Sequence, residues 1–179
     1  MKKIIKEIFS TSLYLLVVLL ITYLLVNYVV QRTEVVGSSM ENTLMDGDNL
    51  LIDKLGYRWK DPERFDIIAF LYQHGEDVHY IKRIIGLPGE TVRIDREGNI
   101  YIDGEMLTEG YGKEVILNPG IAEEEILLGE DEFFVLGDNR NHSADSRESN
   151  VGNIRREDIV GRAWLRIWPL GDFGILRHQ

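Results

Sequence analysis

The side chains that could act as a nucleophile in this sequence are hydroxyls, amines and carboxylates, because the chain contains no cysteine. A nucleophile must then be Ser, Thr, Lys, Asp, Glu or Tyr. Three stretches, residues 37–44, 80–90 and 137–147, mix small, polar and apolar residues in a way that ordinary strands do not. Taken singly, they are also typical of a turn or helix cap, a strand with a solvent-facing lysine, and a hydrogen-bonded turn. The residue types alone leave the reaction open.

Together, in this order and spacing, the three stretches resemble the bacterial type I signal peptidases, a family of Ser–Lys proteases. The most specific match is residues 137–140 (GDNR) followed by residues 143–147 (SADSR). Residues 81–89 match a second family motif, and residues 64–70 are similar to the strand that precedes it. The resemblance extends over nearly the whole chain.

This resemblance implies roles for three polar residues. Ser39, immediately before Met40, corresponds to the nucleophile, Lys82 to the general base, and Ser143 to the hydroxyl that positions the lysine. The implied protein is a membrane-bound serine endopeptidase. It would remove N-terminal signal peptides from exported pre-proteins, after sites with small residues at positions −1 and −3.

A lysine can act as a base only when its amine is neutral. The ordinary lysine pKa of about 10.4 must fall by about 2 units for activity near pH 8, which corresponds to roughly 3 kcal/mol of desolvation. Lys82 lies between Tyr80, Ile81, Ile84 and Ile85, an apolar setting that favours the neutral amine.

Two acid–arginine pairs are expected beside the dyad. The resemblance implies that Asp145 pairs with Arg147, and Asp138 with Arg83. A free carboxylate would favour the charged ammonium of the lysine. We therefore expect these carboxylates to be held by Arg83, Arg140 or Arg147.

Substrate selection is expected to be steric. A pocket for small residues needs apolar walls close to Ser39, and a bulky residue at position −1 should be refused. The candidate wall residues, by position, are Val35, Val36, Met40, Leu44 and Ile81.

The sequence departs from the family pattern at two positions near Ser39. Asn42 stands where the family usually has proline, and both residues suit turns. Gly37 stands where some members have a serine that donates to the oxyanion. The donor here is therefore expected to be a backbone group, with the N–H of Ser39 favoured, while Ser38 is a less favoured candidate.

The elements that position these residues are predicted to be short strands. Two of them flank a hairpin turn at residues 96–98, and residues 112–131 form an acidic loop. Because the stretch from 90 to 132 is short, it leaves room for a hairpin and a loop only. The predicted fold class is mainly β, with a barrel-like or sandwich architecture, and the resemblance implies that this is the β-sheet catalytic domain of the signal peptidases. The predicted strands cover residues 48–54, 66–72, 79–86, 91–95, 99–103, 132–137 and 160–168.

An uncharged run of 22 residues, 9–30, is long enough for a helix to span a bilayer. Residues 1–30 then form a short cytoplasmic N-terminus and an anchor, and residues 31–179 form the protease domain outside the plasma membrane. Lys2, Lys3 and Lys6 precede the run, which favours a cytoplasmic N-terminus. A cleavable signal peptide and a buried core helix are the alternatives.

The charge distribution limits the partners. The net charge is −10, with +2 on the first 30 residues and −12 on the rest, which argues against nucleic-acid binding. The expected partners are pre-proteins, the lipid bilayer through apolar contacts, and a secretion translocon. Without cysteine, paired histidines or a phosphate-binding glycine loop, no metal or cofactor is expected.

Several rival functions remain open. His142 lies between Asp138 and Asp145 and suggests a Ser–His–Asp hydrolase. Other candidates are a self-cleaving repressor-type Ser–Lys protein, a sugar- or lipid-binding β domain, and a catalytically idle or narrowly dedicated assembly factor on the same fold. A repressor would need a DNA-binding module where this chain has an apolar run, and an idle protein would be expected to lose Ser39 or Lys82.

Overall fold

The computed structural model describes residues 2–24, 29–72 and 79–176. In that part of the chain one α-helix precedes twelve β-strands, and every strand pair is antiparallel. The elements are α1 (Lys2–Leu24), β1 (Val30–Glu34), β2 (Asn49–Asp53), β3 (Ile67–Leu71), β4 (His79–Gly86), β5 (Thr91–Ile94), β6 (Ile100–Ile102), β7 (Glu105–Met106), β8 (Ile126–Leu127), β9 (Glu132–Leu136), β10 (Ile154–Arg155), β11 (Ile159–Trp168) and β12 (Gly174–Ile175). The mainly β prediction is confirmed.

Helix α1 lies nearer the N-terminus than the predicted span. It begins at Lys2 because lysine, isoleucine and glutamate continue a helix readily, so the charged residues do not end it. Val30, predicted as the last residue of the span, instead opens β1 opposite Asp53. The segment Lys3–Tyr23 is long and apolar enough to cross a membrane, and none of it is buried. The alternative of a buried core helix is therefore wrong.

The larger sheet has eight strands in the order β1-β2-β11-β3-β4-β9-β10, with β12 paired to β11. Strands β1 and β10 end this order, so the sheet is open and does not close into a barrel. Strand β1 was not predicted, because its sequence QRTE after Val30 is polar. A polar, charged strand is typical of a sheet edge.

The smaller sheet has the order β7-β6-β5-β8. The predicted hairpin between β5 and β6 is confirmed, with Gly98 N–H donating to Asp95 O across the turn at 3.1 Å. The prediction of a loop throughout residues 112–131 is wrong in part. Within it Gly120–Glu123 forms a 3-10 turn and β8 pairs with β5, because Ile126 packs against the apolar cluster of this sheet.

Strand β4 is the element that matters most for the site. It lies between β3 and β9, and all its side chains from Ile81 to Gly86 are buried. Two of them are Lys82 and Arg83, which have 4% and 1% of their surface exposed. A charge inside a protein must be paired or lost to neutralisation. Arg83, which keeps its charge, therefore requires an ion-pair partner, whereas Lys82 must be either paired or neutral.

Candidate active site

The loop after β1 presents Ser39 at the surface of the larger sheet. Met40 and Leu44, both buried, anchor a turn in which Leu44 N–H donates to Met40 O at 2.8 Å. Gly37 has a φ of +89°, a conformation that favours glycine, and its N–H donates to Asp46 Oδ1 at 2.7 Å. These contacts leave Ser39 half-buried between an anchored turn and a glycine.

Ser39 and Lys82, 43 positions apart in sequence, meet in space. Lys82 Nζ donates to Ser39 Oγ at 2.7 Å and to Ile81 O at 3.1 Å. Lys82 Nζ also lies 5.0 Å from the centre of the Tyr80 ring. Strand β4 fixes the lysine, because Lys82 pairs with Ile68 of β3 in the ladder. The structure therefore brings the two predicted residues into direct contact.

The surroundings of Lys82 favour its neutral form. Burial lowers the pKa of Lys82 to about 8, while the charges of Asp145 and Asp138 act in the opposite direction. Loss of solvation thus outweighs the attraction of two carboxylates. The carboxylates oppose it less than free ones would, because each is already paired with an arginine.

Asp138 is paired with Arg83 in a buried bidentate contact. Arg83 Nε and Nη2 donate to the two carboxylate oxygens at 2.9 and 2.6 Å. Thr43 Oγ1 donates to Asp138 Oδ2 at 2.5 Å and ties the loop of Ser39 to this pair. The Arg83 guanidinium lies over the Tyr111 ring, 3.7 Å from its centre. The expected contact between Arg83 and Asp138 is present.

Asp145 is paired with Arg147 in the same manner. Arg147 Nε and Nη2 each donate to one oxygen of Asp145 at 2.8 Å. Asp145 Oδ2 also accepts the N–H of Gly137 at 3.0 Å. The third arginine, Arg140, forms an ion pair with Glu109 at 2.7 Å instead of with either aspartate.

Ser143 lies beside the dyad but does not bond the lysine. Its Oγ is buried without a hydrogen-bond partner. A Cβ at Gly137 would overlap both Ser143 Oγ and the carbonyl oxygen of Ser39, so the close approach of these two segments requires glycine there. The lysine-positioning role of Ser143 stays a prediction.

A cavity of about 270 Å³ opens in front of Ser39 and Lys82. Among the predicted wall residues, Leu44 does not line it, because its side chain points into the core and is fully buried. The remaining lining includes polar residues that the sequence did not indicate. The cavity is lined by Thr33, Glu34, Val35, Val36, Ser39, Met40, His79, Tyr80, Ile81, Lys82 and Ala144.

Two asparagines near Ser39 have features that sequence patterns did not predict: a backbone conformation for Asn42 and a set of hydrogen bonds for Asn139. Asn42 has a φ of +93°, which a proline cannot adopt because its ring fixes φ near −65°. The turn thus has a shape that the family's usual residue could not take. Asn139 is buried and donates through Nδ2 to Ser38 O and through its backbone N–H to Ser39 O, both at 3.0 Å. The only sequence feature that pointed to Asn139 as a site residue was its position within the motif of residues 137–140.

The rival arrangement with histidine is not assembled. His142 is exposed, whereas Ser39 Oγ is bonded to Lys82. Within residues 2–24, 29–72 and 79–176, no group of three or more His, Asp or Glu side chains could hold a metal ion. His74 and His178 lie outside the described residues.

Comparisons of this chain with a family model, with curated relatives and with solved structures all match signal peptidases. The family model described as "Signal peptidase, peptidase S26" matches residues 7–168. A probable signal peptidase I-2 from Synechocystis is 40% identical over 83% of this chain and 68% of its own length. A signal peptidase I P from Bacillus subtilis subsp. natto is 35% identical over 87% of this chain and 84% of its own. A solved signal peptidase I from Enterococcus faecalis aligns with a TM-score of 0.47, at 36% identity, over 57% of this chain and 97% of that one.

Proposed function

The chain belongs to the signal peptidase family, peptidase S26, whose reaction is the removal of signal peptides from pre-proteins, and we propose that Ser39 and Lys82 perform this cleavage. The observation that carries the proposal is the 2.7 Å contact between Lys82 Nζ and Ser39 Oγ, made by a lysine that is almost fully buried. A hydroxyl becomes a useful nucleophile when an adjacent base takes its proton.

The reaction proceeds through an ester on Ser39. The neutral amine of Lys82 takes the hydroxyl proton as Oγ attacks the carbonyl carbon of the scissile bond, and the resulting oxyanion accepts the N–H of Ser39. The ammonium then gives its proton to the departing amine, which becomes the N-terminus of the mature protein. Water attacks the ester with Lys82 again as base, which releases the signal peptide as a carboxylate and restores the hydroxyl.

The pairs Arg83–Asp138 and Asp145–Arg147 are supporting groups in this proposal. They hold the residues on either side of the dyad and limit how strongly the two carboxylates favour the ammonium of Lys82. Ser143 is retained as the hydroxyl that positions the lysine. Its buried, unpartnered Oγ is available to bond during turnover, and an unsatisfied buried hydroxyl is costly.

Specificity is proposed to come from the size of the cavity. Val35, Val36, Met40 and Ile81 give it apolar walls next to Ser39. Small side chains at positions −1 and −3 of the pre-protein fit such a site, whereas a bulky residue at −1 would collide with these walls.

The proposed location is the plasma membrane, with α1 as a single span, residues 1–30 as anchor and residues 31–179 as the external protease domain. Support comes from the length and apolar character of Lys3–Tyr23. Large apolar side chains also remain exposed near the end of β11, and they suit contact with lipid; they are Trp168, Leu170, Phe173 and Ile175. The translocon that delivers pre-proteins is a further proposed partner.

Cleavage of a purified pre-protein by the detergent-solubilised chain tests this function. Wild type is expected to cut after a small-x-small site, whereas Ser39→Ala and Lys82→Ala should both be inactive. Ser143→Ala should be slow yet folded, and a pre-protein with a bulky residue at −1 should resist cleavage. Substantial processing by Ser39→Ala or Lys82→Ala would exclude the dyad. A folded wild type that only binds the pre-protein would support the idle assembly factor.

A further inference from the structure

We propose that Asn139 is a positioning residue that aims the backbone N–H of Ser39 at the oxyanion. The inference rests on the proposed function, because it concerns the same nucleophile and the same intermediate. The backbone N–H of Ser39 matters here because position 37 is a glycine, which has no side chain that could donate to the oxyanion.

Asn139 holds the two carbonyl groups on either side of the Ser39 nitrogen and Cα. Its side-chain Nδ2 donates to Ser38 O, and its backbone N–H donates to Ser39 O, each at 3.0 Å. Asn139 itself has 2% of its surface exposed, so its donor groups meet little competing water. One residue therefore fixes the orientation of two consecutive carbonyl groups.

The first of these bonds determines where the Ser39 N–H points. In a trans peptide the C=O of one residue and the N–H of the next point in opposite directions within one plane. Because Ser38 O is directed toward Asn139, the N–H of Ser39 is directed away from it. Among the hydrogen bonds of the described residues, no acceptor takes this N–H, so it is available for a substrate oxygen.

Asn139 is itself held by a rigid base. The preceding residue, Asp138, accepts two bonds from Arg83 and one from Thr43. The Arg83 side chain also donates to Phe65 O at 2.9 Å. Strand β4 carries Arg83 directly after Lys82, so the base and the oxyanion donor are located by neighbouring residues of one strand.

The bond from Asn139 should matter most when the oxyanion forms. A donor that strengthens its contact only in the transition state affects kcat rather than substrate binding. Loss of an oxyanion donor costs about 100- to 1000-fold in kcat, and a donor that is merely misaligned should cost less, about 10- to 100-fold.

The test compares Asn139→Ala with Asn141→Ala in the full chain in detergent, with a peptide substrate. Asn141 is a matched control, because it lies in the same loop and its side chain bonds Glu114, Val115 and Leu117 instead of the Ser39 loop. Asn139→Ala should lower kcat by about 10- to 100-fold, with KM changed by less than about two-fold. Asn141→Ala should keep the wild-type kcat.

A peptide aldehyde provides a second readout, because it forms a tetrahedral adduct on the serine and so imitates the intermediate. Its inhibition constant should rise in Asn139→Ala by the same factor by which kcat/KM falls, and the apparent pKa of the pH profile should not move. A merely destabilised variant would show a lower melting temperature without this proportionality.

Asn139→Asp serves if the alanine variant does not fold, because it keeps the shape of the side chain and removes the Nδ2 donor. Its kcat is compared on the high-pH plateau, where an added carboxylate no longer alters the protonation of Lys82. Wild-type kcat and aldehyde affinity in either folded variant would overturn the inference while Ser39→Ala stays inactive. Activity in Ser39→Ala would instead overturn the proposed function.

Discussion

The two sheets of this molecule differ in where their charged side chains lie. Both sheets are antiparallel. Each packs against its own cluster of buried apolar side chains, among them isoleucines, leucines and valines. Yet every charged residue that is buried as a whole among the described residues lies on the larger sheet or on a loop that joins its strands. These residues are Asp48, Asp66, Lys82, Arg83, Asp138, Arg140, Asp145 and Arg147. Glu109, which follows β7 of the smaller sheet, pairs with Arg140 and keeps 9% of its side chain accessible. On the smaller sheet the ion pair of Arg96 with Glu123 is exposed, with 83% and 45% of the side chains accessible.

Burying a charge costs free energy, so the concentration of buried charged residues on the larger sheet indicates that this sheet holds the functional site. A lysine that must be neutral needs a dry environment, and that environment must also hold the carboxylates beside it. Arg83 and Arg147 meet this requirement by pairing with Asp138 and Asp145. The smaller sheet carries none of this chemistry and adds apolar support through Ile85 and Phe134, which pack in its cluster.

The largest effect is expected where a buried pair is broken. Arg83→Met leaves Asp138 unpaired in the interior, and the free energy of unfolding should fall by about 3–5 kcal/mol. Turnover should fall as well, because an unpaired carboxylate favours the ammonium of Lys82. Denaturant unfolding followed by tryptophan fluorescence measures the change. Arg96→Met, the same substitution in the exposed pair, is the control and should leave the free energy of unfolding unchanged.

In the smaller sheet a core substitution should affect stability alone. Ile94 is fully buried, and Ile94→Ala should cost about 2–5 kcal/mol through lost contacts and the cavity left behind. Below its lowered melting temperature the variant should retain the wild-type kcat, measured with a peptide substrate. A kcat that falls in the folded variant would show that the two sheets are not separated in function as we infer.

Lys82→Met should stabilise the protein while it abolishes turnover. The depressed pKa of Lys82, about 8 against 10.5 in the unfolded chain, means that the unfolded state binds more protons between these values. Wild-type stability should therefore rise with pH through this window, and the cost of burying the amine is present in full below it. Near pH 7 the variant should be more stable by up to about 3 kcal/mol, a gain that shrinks toward pH 10.5. Equal stability of both proteins at pH 7 would contradict a desolvated lysine.

The sequence predicted the elements that are buried and apolar and missed those that are not. Strand β4 has the predicted bounds, β9 is one residue shorter than predicted at one end, and β3 is one residue shorter at both ends, because long apolar runs determine them. Strand β1 is polar, and four others have only two residues each, so no pattern marks them. The helix begins before the uncharged run because Lys3 and Lys6 continue a helix well, so the first charged residue does not mark its boundary.

Within the site, residue types indicated Ser39 and Lys82, but tertiary contacts decide the rest. The closeness of Leu44 to Ser39 in sequence predicts that it lines the pocket, but the turn directs its side chain into the core. The contacts of Thr43 and Asn139 join segments that are about 95 and 101 positions apart. Periodicity in the sequence cannot predict contacts between residues so far apart along the chain.

The pH dependence of kcat/KM for peptide cleavage tests the central claim most directly. If the neutral amine of Lys82 is the base, activity should rise with pH through an apparent pKa near 8, the value to which burial lowers this lysine. The slope below the inflection should reflect one proton, and Ser39→Ala should be inactive at every pH. A profile that rises only near the ordinary lysine pKa, or one that is flat from pH 6 to pH 10, would contradict a buried lysine as the base.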